Sequence, residues 1–133
     1  MRNNRTATLI ASIAITLLAS SASILASEKT DTFQGTLVSA SCYLGDHSRT
    51  GNDMGVKGCG SGCLKQGKPG GLLTKDNGFY ILDAPSLLLA PYVGQEIRVT
   101  GYERAKGVIS VSTASVRKGG GWEGINLSAL IPK

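Results

Sequence analysis

The sequence predicts a mostly β protein, a small barrel of about five strands interrupted by one long loop rich in glycine and cysteine. Three observations indicate this class. Short segments rich in β-branched and aromatic residues recur between turns that contain glycine or proline. No segment keeps a heptad pattern or an internal repeat. The length of 133 residues suits one domain preceded by a targeting segment.

Residues 1–26 have the organisation of a secretory signal peptide. The start is positively charged, residues 9–19 form an apolar core, and small residues lead to a predicted cleavage after Ala26. Cleavage after Ala22 is one alternative. An uncleaved anchor is another, although the apolar run is shorter than the ~20 residues that a spanning helix needs. We therefore expect a periplasmic or secreted protein that meets the membrane only through this segment.

The rest of the chain, residues 27–133, is expected to form a single domain with flexible ends at 27–32 and 127–133. The predicted strands share β-prone composition and apolar alternation, and they lie at 33–42, 72–75, 79–82, 95–102 and 108–117. Residues 122–126 are interpreted as either a closing strand or an ordered tail. This number and spacing of strands fits a partly open barrel of the OB type, with a small sandwich as the alternative.

Local signals refine three of these segments. Asn77 and Gly78 separate two strands and predict a tight type I′ turn, in which both residues take positive φ. Ser86 is expected to cap a short helical turn that covers one end of the barrel. In the fourth strand, clean alternation predicts that Ile97 and Val99 share one face.

A long loop is predicted from residue 43 to residue 71, because this segment is rich in glycine and polar residues and has no periodicity. Loops of this length are uncommon inside compact domains unless they are functional or cross-linked. It holds the single histidine and two of the three cysteines of the chain. Function is therefore expected in this loop.

The cysteines allow three interpretations. In the first, Cys42 forms a structural disulfide with Cys59 or Cys63, as is common in exported proteins. In the second, Cys42, Cys59, Cys63 and His47 bind a metal ion, either zinc, which takes three sulfurs and one nitrogen, or copper, because soft thiolates suit Cu(I). In the third, the thiols are redox-active and nearby lysines activate one of them. An odd number of cysteines leaves at least one outside any intramolecular disulfide.

Several function classes receive no support. The net charge of +5 falls to about +3 once Arg2 and Arg5 are removed with the signal peptide, which is mild. The basic residues are scattered and not interleaved with aromatic ones, so we expect no nucleic-acid partner. The sequence has no haem attachment motif, no phosphate-binding loop and no nucleophile elbow. We therefore expect a non-enzymatic protein that binds a metal ion or an envelope partner, with a disulfide-stapled binding module or a thiol-redox protein as alternatives.

Four segments resemble a group of small exported bacterial proteins of unknown function, and these segments are 35–43, 58–63, 67–74 and 91–101. The shared features are a Cys-Tyr pair after the first strand, a Cys-x3-Cys loop and an OB-like β domain. The resemblance spans about Phe33 to Trp122 and implies the fold and export but no activity. Members often carry a histidine three residues before the first loop cysteine. This chain has Val56 there, which either weakens a metal role or leaves His47 as a substitute.

Overall fold

The computed structural model describes residues 28–52 and 59–129, so the predicted signal peptide and its cleavage site lie outside the described residues. The described part contains six strands, which are β1 (Asp31–Ser39), β2 (Gly70–Thr74), β3 (Phe79–Asp83), β4 (Glu96–Ala105), β5 (Val108–Lys118) and β6 (Gly121–Ile125). Its helical segments are α1 (Ala40–Gly45), α2 (Ser61–Lys65), α3 (Ser86–Leu89) and a 3₁₀ turn (Ala90–Tyr92). Among the described helices, none combines the length and the apolar character needed to cross a membrane.

Five of the strands close into a ring. The sheet order is β3-β2-β1-β4-β5-β6, and a further parallel pairing joins β3 to β5. This pairing runs from Ile81 opposite Val108 to Asp83 opposite Ser110, whereas the other pairings are antiparallel. β6 follows β3 along the same edge of β5 and lies outside the ring. The predicted mostly β class is confirmed, and the segment interpreted as a closing strand or an ordered tail forms a sixth strand, Gly121–Ile125.

The interior of the ring is filled by aliphatic side chains. Ile97 and Val99 are fully buried on β4, so the predicted alternation is confirmed. Leu64 of α2 and Leu89 of α3 belong to the same core cluster and are also fully buried. The other fully or nearly fully buried members of this cluster are Leu37, Leu72, Leu82, Ala90, Ile109 and Val116. The two short helices are thus attached to the ring through single leucines.

The first strand differs from its prediction at both ends. Residues 31 and 32 were expected in a flexible leader, but they pair with Gly101 and Thr100 of β4. β1 ends at Ser39, so Cys42 lies in α1 and not at the end of the strand. Beyond the last pair, Ser39 and Gly70, the Ala40 N–H still donates to the Pro69 carbonyl over 3.1 Å, but Pro69 has no N–H to return a bond, so the ladder ends there.

The predicted loop from 43 to 71 is partly structured. Its described part contains the end of α1, all of α2 and the start of β2. The uniform-loop prediction was therefore wrong. These helices are only six and five residues long, and tertiary burial of residues such as Leu64 stabilises them, so no helical periodicity marks them in the sequence.

Two turn predictions also need correction. The hairpin between β2 and β3 exists, but of the two residues predicted to take positive φ only Asn77 does so, at 62°, and Gly78 does not, so the predicted type I′ turn is wrong. Thr74 N–H donates to the Gly78 carbonyl over 2.9 Å, which fits a three-residue loop that ends in a left-handed residue. The helical turn at Ser86 is present, but Ser86 is its first residue and Pro85 is the N-cap. No side chain makes a capping hydrogen bond there, so the predicted capping by Ser86 is wrong.

Candidate functional site

The three cysteines meet beside the ring. Cys42 and Cys59 form a disulfide with their Cα atoms 6.3 Å apart, and they are 17 residues apart in sequence. The Sγ atom of Cys63 lies 3.5 Å from that of Cys42, and the three Sγ atoms all lie within 4.8 Å of one another. Of the two pairings that the sequence left open, the structure has Cys42 with Cys59. It also brings all three candidate sulfurs together.

The turn at Gly60 places Cys59 and Cys63 on the same side as Cys42. Gly60 has φ of 67°, a conformation that costs little only for glycine. Its N–H donates to the Cys42 sulfur over 3.5 Å, and its carbonyl accepts from the Cys63 N–H over 3.1 Å. Cys59 and Cys63 are four residues apart, and the tight turn at Gly60 between them brings their sulfurs close together at the start of α2.

The sulfurs lie at the boundary between the core and the surface. Cys59 and Cys63 are each 8% exposed, and Cys42 is half-buried. Leu64, next to Cys63, is fully buried in the core cluster. An open hollow of about 260 Å³ adjoins the disulfide, and its lining residues are Ser41, Cys42, Gly45, Asp46 and Arg49. Cys42 is therefore the cysteine that this hollow reaches.

A positive charge stands next to the disulfide. The Nη1 atom of Arg49 lies 3.9 Å from Cys59 Sγ, and its Nε donates to Asp46 Oδ2 over 3.2 Å. Asp46 Oδ1 also accepts from the hydroxyl and the N–H of Ser48, over 2.7 Å and 3.0 Å. These hydrogen bonds lower the pKa of the Asp46 carboxyl, with the largest effect from the two that Ser48 donates and a smaller one from Arg49. Asp46 is thus charged at neutral pH and orients Arg49.

His47 is placed differently from its predicted role. Its ring stacks on Tyr43 with centroids 4.8 Å apart, and Tyr43 stacks in turn on Phe79 at 4.9 Å. Within the described residues, the group that could share one metal ion consists of three sulfurs and does not include His47. The structure therefore brings together three members of the proposed ligand set, Cys42, Cys59 and Cys63, and not the fourth.

No protein-family model matches this chain, and no curated protein or solved structure gives a significant match. The resemblance to small exported proteins stays a prediction.

Sequence reasoning missed Arg49. The sequence predicts lysines as the cations that would activate a cysteine thiol. Of the two nearby lysines, Lys65 is exposed on α2, and Lys57 lies outside the described residues. Arg49 lies seven residues after Cys42 and ten before Cys59, so no motif connects it to either. The available signal was its spacing of three from Asp46, which lets the two side chains meet across a single turn that the Arg49 N–H closes by donating to the Asp46 carbonyl.

The ion pair leads to a pH prediction. Because the pKa of Asp46 is lowered in the folded protein, its contribution to stability is present above the ordinary aspartate pKa and is lost as the pH falls through the lowered value. We expect the Asp46→Asn variant to be less stable than the wild type at neutral pH and equally stable in strong acid. Urea unfolding midpoints at the two pH values measure this, and a difference that persists in acid would contradict it.

The cysteine cluster supports two kinds of chemistry, a covalent cross-link and the ligation of a soft metal ion. While oxidised, the disulfide connects α1 to the chain that enters α2, and such a bond is compatible with a periplasmic or extracellular location. After reduction of that bond, the three cysteine sulfurs are close enough to share one soft ion.

Proposed function

We propose that this chain is an exported protein that binds Cu(I) through Cys42, Cys59 and Cys63 when the disulfide is reduced. The observation that carries the proposal is the grouping of three sulfurs within 4.8 Å. An ion 2.3 Å from each of three sulfurs in one plane separates the sulfurs by about 4 Å. The cluster therefore needs only the opening of the Cys42–Cys59 bond to reach that geometry.

The donor set favours copper over zinc. Structural zinc sites are almost always four-coordinate, whereas the described cluster offers three ligands and His47 is stacked on Tyr43. Soft thiolate ligands select Cu(I). Three thiolates and one Cu(I) carry a net charge of −2, and the guanidinium of Arg49 lies near enough to Cys59 to offset part of it.

The predicted fold and location agree with such a role. We propose that the five-strand ring, with α3 and the 3₁₀ turn between β3 and β4, is an OB-type barrel. Its support is the parallel β3–β5 pairing that closes the ring. Export is supported by the signal-like residues 1–26 and by the disulfide, which is rare in cytosolic proteins.

The test is a Cu(I) titration of the anaerobically reduced mature protein against a colorimetric Cu(I) chelator. We expect one equivalent to be withdrawn from the chelator, with X-ray absorption reporting sulfur ligands only. The oxidised protein is expected to withdraw much less, because two of the three sulfurs are bonded to each other.

Two variants make the titration specific. Cys63→Ser keeps the disulfide pair and removes one ligand, so we expect it to lose at least about tenfold in affinity. His47→Ala removes a ring that the cluster does not include, so its affinity is expected to match the wild type. If the reduced wild type leaves all copper on the chelator, or if Cys63→Ser binds as well as the wild type, the proposal is wrong.

A further inference from the structure

The contact between Cys63 and the disulfide places a thiol next to a bond that it can attack. Cys63 is a thiol in α2, and its sulfur lies 3.5 Å from the Cys42 sulfur, which is already bonded to Cys59. Disulfides rearrange when a thiolate attacks one of their sulfurs. A thiol in contact with a disulfide inside one small domain needs no diffusional encounter for that reaction.

We propose that the chain is a disulfide exchanger, in which Cys42 alternates between a bond to Cys59 and a bond to Cys63. The deprotonated Cys63 sulfur supplies the electron pair for the new bond to Cys42 Sγ. The Cys42–Cys59 bond breaks, its electron pair stays on Cys59, and Cys59 takes up a proton equivalent to the one that Cys63 released. One disulfide and one thiol are present before and after, so no oxidant or reductant is consumed.

The direction of attack follows from the contacts. The 3.5 Å contact joins Cys63 to Cys42, so attack at Cys42 makes Cys59 the leaving group. Because the three Sγ atoms lie within 4.8 Å of one another, the Cys63 sulfur must first move into line with the Cys42–Cys59 bond. Negative charge then develops on the Cys59 sulfur, where the guanidinium of Arg49 lies 3.9 Å away. A nearby guanidinium stabilises a thiolate, and a stabilised thiolate leaves faster. Asp46 keeps Arg49 in that position through its 3.2 Å ion pair.

The exchange changes what the bond connects. In the structure, the disulfide ties α1 to Cys59, just before the turn at Gly60. After exchange, the tie runs from α1 to α2 itself, and Cys59 becomes a thiol beside Arg49. The hollow next to Cys42 is lined by Asp46 and Arg49 as well, so the shared sulfur and the charged pair face the same space.

The test locates the thiol by mass spectrometry. The oxidised mature protein is incubated with a metal chelator, quenched in acid with denaturant and N-ethylmaleimide, and digested with trypsin. Cleavage after Lys57 and Lys65 leaves Cys59 and Cys63 on one peptide, residues 58–65, and Cys42 on another. Fragment spectra of the disulfide-linked pair then show which of Cys59 and Cys63 carries the label.

We expect label on Cys63 in most molecules and on Cys59 in a minor fraction of roughly 0.1 to 10 per cent, as is typical of the less populated of two interconverting states. Label on Cys63 alone, after long incubation, would overturn the proposal. Cys63→Ser is the matched control, and its labelled Cys59 fraction measures background.

A second experiment tests whether Cys63 can form a disulfide with Cys42 when Cys59 is absent. The Cys59→Ser variant is reduced and then oxidised with glutathione disulfide. We expect a monomeric product with an intramolecular Cys42–Cys63 bond, and circular dichroism checks that the variant is folded. A variant that stays reduced or forms only dimers would refute the exchange. Because chelator is present throughout, exchange can fail while Cu(I) binding holds, and the reverse is equally distinguishable.

Discussion

The Cys42→Ser variant is expected to lose about 3 kcal/mol of unfolding free energy relative to the oxidised wild type. Its Tm is expected to fall by about 10 to 20 °C, as that loss implies for a domain of this size. The reason is that the Cys42–Cys59 bond closes a loop across a sequence separation of 17, which restricts the unfolded chain. Reductant added to the wild type is expected to reproduce the loss.

The other two cysteines provide the controls. Cys63→Ser leaves the disulfide in place, so its Tm should stay close to that of the wild type and should still fall on reduction. Cys59→Ser is expected to lose less than Cys42→Ser when oxidised, because Cys63 can replace the missing partner. Urea or thermal unfolding of the three variants, with and without reductant, measures these differences. Equal stability of Cys42→Ser and wild type would show that the disulfide contributes nothing.

The Leu64→Ala variant is expected to lose about 2 to 5 kcal/mol. Leu64 is fully buried and belongs to the core cluster, so truncation leaves a cavity where α2 meets the ring. Because Cys63 is its neighbour in a helix of five residues, the same change should loosen the sulfur cluster. We therefore expect Cys63 in this variant to react faster with a thiol reagent under native conditions.

Leu44→Ala is the matched control, since Leu44 lies in α1 close to the same cysteines and is 56% exposed. It is expected to change stability by less than about 0.5 kcal/mol. Its Cys63 should react at the wild-type rate. If Leu64→Ala unfolds at the same urea concentration as Leu44→Ala, then α2 is not anchored through Leu64.

The two proposals use the same atoms in different oxidation states. Cu(I) binding requires all three sulfurs reduced, whereas exchange requires one disulfide and one thiol. Both proposals give Arg49 a role, because its charge would favour a thiolate at Cys59 and would offset part of the charge of a copper–thiolate complex. An oxidised chain would accordingly release copper, and a reduced chain would bind it.

Much of the fold could be predicted because its signals are local. The strand segments from β2 to β5 follow from composition and alternation, and Ile97 and Val99 face the core as predicted. The hairpin position follows from Asn77 and Gly78, although the turn type depends on one backbone angle that residue preference does not determine. The three cysteines were selected as the candidate site from their number and spacing, and the structure brings their sulfurs within 4.8 Å of one another.

The sequence by itself determined the mostly β class, the strand segments from β2 to β5 and the cysteines as the candidate site, because composition and alternation act over a few neighbouring residues. Only the tertiary structure decided the ring closure through β3 and β5, the choice of Cys59 as the partner of Cys42, the approach of Arg49 and the stacking of His47 on Tyr43. Each of these is set by packing in three dimensions. Residues 81 and 108, or 49 and 59, become neighbours only after the core has formed, and no local preference encodes that distance.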